Sequence, residues 1–261
     1  MSELPAVVDV AWLERELGAT DLFLGDVRGP NAHTRDHIPG SKPLVLGSPP
    51  PMSDREVLEA LAPEVGLRLR RHGVTGEERL VLYDRGDGVG AMPAAQMAEL
   101  AGHPRVAVLL GGLAAWPGET ETGQVELRPV KATFQARLEA VPTRAELAAR
   151  LDDAELTLLD VRTAEEFAGR HGYPCDPRQG RIPGSRHLHV QDLFVGMGQP
   201  LPPEEIRALV GEADDVVAYC HSGSRSALAT LALRAAGYRA RNYAGSWHEW
   251  SRHDELPLDR G

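Results

Sequence analysis

Cys220 ends an apolar run, Val216-Val217-Ala218-Tyr219, and opens the polar loop His221-Ser222-Gly223-Ser224-Arg225, after which Ala227-Leu228-Ala229-Thr230-Leu231-Ala232-Leu233 reads as the start of a helix. A thiol between a strand end and a helix start faces free backbone N–H groups and the positive end of a helix dipole. Both stabilise negative charge on sulfur and on any anion bound beside it. With 2 cysteines in 261 residues, this placement points to nucleophilic chemistry at Cys220. The amides of His221 through Arg225 are the expected anion donors, with Gly223 supplying the backbone freedom for the curl. Arg225 offers a permanent cation that faces an anionic substrate or braces the loop against a carboxylate. Ser222 and Ser224 offer hydroxyls to substrate oxygens. His221 adjoins the nucleophile, but a thiol activated by its loop requires no general base.

The surrounding elements must hold this loop. Leu156-Thr157-Leu158-Leu159-Asp160-Val161 is a buried strand by its continuous apolar character. Thr163-Ala164-Glu165-Glu166 has the form of a capping box, and Pro202 to Val210 is a proline-started helix. Gly237 ends the Ala227 helix, and Arg239 to Tyr243 is a last strand. This alternation predicts an α/β fold: a parallel sheet flanked by helices on both faces, with ligands bound beyond the carboxyl ends of the strands. Asp160 and Arg162 lie at such an end, where the forked donors of Arg162 can pin the cysteine loop.

The chain also repeats itself. Asp26-Val27-Arg28 recurs as Asp160-Val161-Arg162, and Ile38-Pro39-Gly40-Ser41 as Ile182-Pro183-Gly184-Ser185. Tyr83-Asp84 matches Tyr219-Cys220, and Gly111 to Trp116 matches Gly245 to Trp250. The spacing between copies is nearly constant except at Ile-Pro-Gly, where the second copy carries the insert Arg170 to Gln179. A period this long is a domain duplication. The expected organisation is a first domain over 1–120, a linker over 121–142, and a second domain over 143–261, with Val130 to Leu138 running along one domain. Cys175, inside the insert, reads as an incidental loop thiol, or alternatively as a resolving thiol or half of a regulatory disulfide.

An apolar fraction of 42% and a charged fraction of 25% describe a soluble globular protein, and a net charge of −10 gives no electrostatic case for nucleic acid or an anionic membrane. Lysine occurs only at Lys42 and Lys131, which disfavours a lysine nucleophile. The Met1 to Ala6 stretch lacks a signal-peptide pattern, and no apolar run reaches the length of a membrane span, so a cytoplasmic protein is expected. Asp84-x-x-Asp87-Gly88 lacks the remaining ligands of a calcium loop, and neither a metal nor a cofactor is expected. A phosphatase-type loop would place arginine at position 226, which here is serine.

These residues carry a resemblance to the tandem-domain rhodanese family, the thiosulfate and 3-mercaptopyruvate sulfurtransferases. Tyr243-Ala244-Gly245-Ser246-Trp247-His248-Glu249-Trp250 matches the family's C-terminal pattern. The stretch from His33 to Leu44 matches its N-terminal one, with His33 in place of an aromatic and Ser41 in place of alanine. The resemblance implies two tandem rhodanese-like domains. The first is catalytically silent, because Asp84 stands where the second has its cysteine. It further implies that Cys220 takes sulfane sulfur from thiosulfate as a persulfide and passes it to cyanide or a thiol. The partners are then a small-molecule sulfur donor and acceptor, with any protein acceptor unidentified. Two positions depart from the thiosulfate-preferring animal members, which carry basic residues where this chain has Ser222 and Glu166. The alternatives are 3-mercaptopyruvate as donor, and a persulfide carrier that does not turn over.

Overall fold

The computed structural model describes residues 4–52, 54–196 and 198–261. The chain forms two compact units, one built mainly from the N-terminus to Ser48 and Leu58–Ala140, the other from Pro49–Val57, Val141–Gly196 and Pro200–Gly261. In the N-terminal half the elements are β1 (Val7–Val8), α1 (Val10–Glu16), β2 (Leu22–Asp26), α2 (Pro30–Arg35), β3 (Lys42–Pro43), α3 (Arg55–Arg71), β4 (Arg79–Tyr83), α4 (Ala91–Ala101), β5 (Val106–Leu109) and α5 (Gly112–Ala115). Its strands run parallel in the order β1-β5-β4-β2-β3. The segment after α5 packs along this unit, with Val130 N donating to Arg70 O and Arg137 N to Leu100 O.

The C-terminal half comprises α6 (Arg144–Ala149), β6 (Leu156–Asp160), α7 (Ala164–Phe167), β7 (Arg186–His187), the short strands β8 (Phe194–Gly196) and β9 (Gln199–Pro200), α8 (Pro203–Val210), β10 (Asp215–Tyr219), α9 (Ser224–Ala235), β11 (Ala240–Asn242) and α10 (Ser246–Trp250). Its main sheet is parallel, in the order β11-β10-β6-β7. Side chains alternate across a strand, and two cores follow. Leu159, Val216, Ala218 and Cys220 pack with Ile206 and Val210 of α8 and with Ala229, Ala232 and Leu233 of α9. On the opposite face Leu158, Val217 and Tyr219 pack with Leu147 of α6 and with Trp247 and Trp250 of α10. The sheet is thus sandwiched between helices, as the alternation of elements predicts. Among the described residues no helix is long and apolar enough to cross a membrane.

The motifs that the two halves share turn out to be one scaffold built twice. Arg162 chelates the carboxylate of Asp160, with Nε 2.9 Å from Oδ1 and Nη2 2.6 Å from Oδ2, and both residues are buried. Arg28 holds Asp26 in the same way, at 3.0 and 2.7 Å. The Tyr219 hydroxyl accepts Ile182 N at 3.1 Å and lies 3.1 Å from Ser185 Oγ. The Tyr83 hydroxyl accepts Ile38 N at 3.2 Å and lies 2.8 Å from Ser41 Oγ. Arg162 differs from its expected role. Its remaining reach goes to Gly180 O at 2.7 Å and over the rings of Tyr219 and Trp247, so it bears on the cysteine loop through these two neighbours and not by a direct bond among the described residues. Arg162→Leu leaves a fully buried carboxylate without its counter-ion, and we expect a loss of about 3–5 kcal/mol in a urea titration.

Candidate active site

Cys220 follows the last residue of β10 and is 1% exposed. The turn after it is short, because Gly223 adopts φ 89° and caps α9, which starts at Ser224. The helix therefore begins three residues earlier than its apolar pattern indicates, and it takes in Ser224, Arg225 and Ser226. Only glycine suits position 223: a Cβ there would fall 2.7 Å from Ala244 O, in addition to the left-handed backbone. Gly223 N donates to the Cys220 sulfur at 3.2 Å, and Ser226 Oγ lies 3.4 Å from it. Ser246 Oγ stands 3.9 Å from the same sulfur and accepts Cys220 N at 3.1 Å. Among the described residues these are the polar groups around the thiol; the two hydroxyls point their protons at nearer acceptors, Ser226 at Asn242 Oδ1 and Ser246 at Tyr243 O, 2.7 and 2.8 Å away. Of the expected inward amides, that of Gly223 reaches the sulfur; those of Ser224, Arg225 and Ser226 open the first turn of α9, where an amide has no partner within the helix.

Ser226 and Ser246 were not foreseen as site residues, and each is held firmly. Ser226 Oγ lies 2.7 Å from Asn242 Oδ1, and Asn242 Nδ2 donates to Gly223 O at 3.1 Å. Ser246 is the one described non-glycine residue with positive φ, at 54°, and it sits where the first copy has Gly112 at φ 48°. A serine in the left-handed region costs backbone energy; here its hydroxyl holds the Cys220 amide in return. Trp247 N donates to Cys220 O at 3.0 Å and His248 N to His221 O at 2.8 Å, so the start of α10 clamps the loop from outside.

Ser222 and Ser224 are exposed on the loop. Arg225 pairs with a carboxylate, its Nη1 and Nη2 lying 2.8 and 2.9 Å from the two oxygens of Glu166. Glu166 also completes the capping box of α7 by accepting Thr163 N at 3.0 Å. Burial works against its charge, but the Arg225 guanidinium outweighs it and lowers the carboxyl from 4.5 to about 2. The His221 imidazole turns away toward the insert, stacking on Tyr173 at 3.7 Å between centroids with Nε2 3.2 Å from Asp176 Oδ2. Burial holds that imidazole below its ordinary value. Cys175 is a free, exposed thiol beside it, its sulfur 3.7 Å from His221 Nε2.

In the first copy Asp84 fills its own loop. Its Oδ1 accepts Gly86 N at 2.9 Å and Gly88 N at 3.3 Å, and its Oδ2 accepts Gly90 N and Ala91 N at 3.0 Å each.

A folded-state carboxyl held low contributes stability above its unfolded value and loses it as pH falls through the folded one. The Glu166–Arg225 pair therefore stabilises the protein fully above 4.5, and its contribution fades between there and about 2. In acid denaturation curves Glu166→Gln is expected to flatten the pH dependence of stability across that window.

The Rhodanese-like domain family matches residues 9–119 and 143–253. A thiosulfate sulfurtransferase of Pseudomonas aeruginosa is 30% identical over 279 residues, covering 99% of this chain and 98% of its own. A probable 3-mercaptopyruvate sulfurtransferase of the same organism is 32% identical over 278 residues, with 95% and 96% covered. The crystal structure of a probable thiosulfate sulfurtransferase superimposes with a TM-score of 0.72 at 33% identity, covering 92% of this chain and 98% of the other. Both copies of the repeat lie within the matched ranges, and the chain belongs to the rhodanese family of sulfurtransferases.

Proposed function

We propose that this chain transfers sulfane sulfur from thiosulfate to a thiophilic acceptor through a persulfide on Cys220. The observation that carries the reading is the cysteine itself, fixed at a parallel-strand end with Gly223 N donating to its sulfur and Ser226 Oγ 3.4 Å away. The Cys220 sulfur attacks the outer sulfur of thiosulfate. The sulfur–sulfur bond of the donor breaks, and sulfite leaves with its electron pair. Cyanide or a thiol then attacks the outer sulfur of the persulfide, and Cys220 departs as the thiolate. Two half-reactions through one covalent intermediate give ping-pong kinetics. Charge moves between the inner and outer sulfur during both steps, and the fixed donors around Cys220 stabilise it without reorganising. Ser222 and Ser224, exposed on the same loop, serve the donor's oxygens, and the amides of His221 and Arg225 complete the loop. The Arg225 side chain acts mainly as a brace, since Glu166 occupies both of its terminal nitrogens. Asp160 and Arg162 support the strand end. The first domain is silent, because a carboxylate at position 84 cannot become a persulfide.

The choice of thiosulfate over 3-mercaptopyruvate is tested by steady-state transfer to cyanide from each donor, with intact-mass analysis after donor alone. The expected result is one added sulfur on Cys220 and faster turnover with thiosulfate, both lost in Cys220→Ser. Faster turnover with 3-mercaptopyruvate would reassign the donor, and an adduct without turnover would mark a carrier. Gly223→Ala puts a Cβ against Ala244 O at a strained φ, and we expect transfer to fall at least about tenfold.

A further inference from the structure

The insert that distinguishes the second copy brings four metal-binding side chains together, and sulfur transfer uses none of them. Cys175 Sγ, a carboxylate oxygen of Asp176, His221 Nε2 and His248 Nδ1 all lie within 4.8 Å of one another. The nearest separations are 3.2 Å from His221 Nε2 to Asp176 Oδ2 and 3.1 Å from His248 Nδ1 to Asp176 Oδ1. Those to the Cys175 sulfur are 3.7 Å from His221 Nε2, 3.9 Å from His248 Nδ1 and 3.8 Å from Asp176 Oδ1. A tetrahedral zinc ion, with bonds of about 2.0–2.1 Å to nitrogen and oxygen and about 2.3 Å to sulfur, spaces its ligands about 3.3–3.6 Å apart. The nearest separations between these residues, 3.1–3.9 Å over the two Asp176 oxygens, bracket that range, and with one ligand atom per residue none is farther than 4.8 Å from another.

A second observation points the same way. The Asp176 side chain is 1% exposed, yet its Oδ2 accepts no aligned hydrogen bond, although it lies 3.2 Å from His221 Nε2. A buried carboxylate oxygen left without a donor is costly, and a cation among these four groups would satisfy it. The supporting shell is in place as well. Arg252 Nη1 lies 3.3 Å from Asp176 Oδ1 and its Nη2 donates to Cys175 O at 2.6 Å, which orients both ligands from outside. Arg178, bonded to Ser251 O and Leu256 O, fastens the insert to the chain just after α10, and Trp247 Nε1 donates to Arg178 O.

We propose that Cys175, Asp176, His221 and His248 form a tetrahedral zinc site that clips the insert to the cysteine loop. One thiolate, one carboxylate and two imidazoles make a mixed sulfur, nitrogen and oxygen set suited to zinc, and two anionic ligands balance the ion's charge. Binding releases the Cys175 thiol proton to solvent. Four protein ligands close the coordination sphere, so the ion is structural, and it anchors the residue that follows the nucleophile.

The test is a Co²⁺ and Zn²⁺ titration of the reduced, chelator-stripped full chain against a chromophoric chelator. The expected result is one ion per chain. The cobalt form should show the intense visible bands of four-coordinate geometry and a near-ultraviolet thiolate-to-cobalt band, both bleached by zinc. Cys175→Ser should abolish the thiolate band and weaken zinc binding at least about tenfold, and Asp176→Asn should weaken it comparably. Circular dichroism verifies that each variant is folded. Cys220→Ser should leave spectrum and affinity unchanged. No binding at micromolar protein, a six-coordinate cobalt spectrum, or a thiolate band lost in Cys220→Ser and kept in Cys175→Ser would overturn the proposal.

Discussion

A carboxylate buried at the end of the middle strand is the constraint around which the second domain is organised. Asp160 is fully enclosed and must be neutralised, and Arg162 does so by folding back across two residues. That guanidinium is then locked between aromatic rings, Tyr219 from β10 and Trp247 from α10. Tyr219 in turn holds the Ile182 amide of the Ile-Pro-Gly turn and immediately precedes Cys220. One desolvated charge pair thereby ties strand end, turn, helix and cysteine loop into a single network. Breaking one partner of such a pair costs far more than the pair contributes intact.

The same scaffold carries different residues in its two copies, and three differences bear directly on the cysteine loop. Asp84 replaces Cys220, Gly112 replaces Ser246, and the insert is confined to the second copy. In the first copy a Cβ at Gly112 would collide with Asp84 O at 2.5 Å and Gly86 N at 2.8 Å. In the second the equivalent residue is a serine in nearly the same backbone conformation, and its hydroxyl has become a tether for the nucleophile's amide. Backbone strain there is coupled to holding the reactive residue still.

Much of this was legible in the sequence, and the boundary of legibility is physical. Apolar runs such as Val216 to Ala218 define buried strands, and Thr163 with Glu166 is a local capping pattern, so both are readable and both are observed. The duplicated Asp-Val-Arg and Ile-Pro-Gly words expose the repeat because each copy needs the same buried network. Long-range pairings leave no such mark. Glu166 and Arg225 stand 59 residues apart, and Glu166 looks complete as a capping residue before its second role is seen. Asp176 and His248 meet across 72 residues, and the Cys-Asp pair sits in an insert that has no counterpart in the first copy to compare with. The start of α9 was hidden because the first helical turn is polar: Ser224, Arg225 and Ser226 serve the loop and do not extend the apolar stripe.

Asp84 has a consequence for how the duplication can change with time. Four backbone amides converge on its carboxylate, and hydrogen bonds to a charged acceptor contribute on the order of 1.5–3 kcal/mol each. The loop is thereby satisfied by an anion of its own chain. A change of Asp84 to cysteine would take that stability away, and Gly112 has no hydroxyl with which to hold the amide of residue 84 as Ser246 holds that of Cys220. The first loop is thus committed to its aspartate, and a single substitution there costs stability at once.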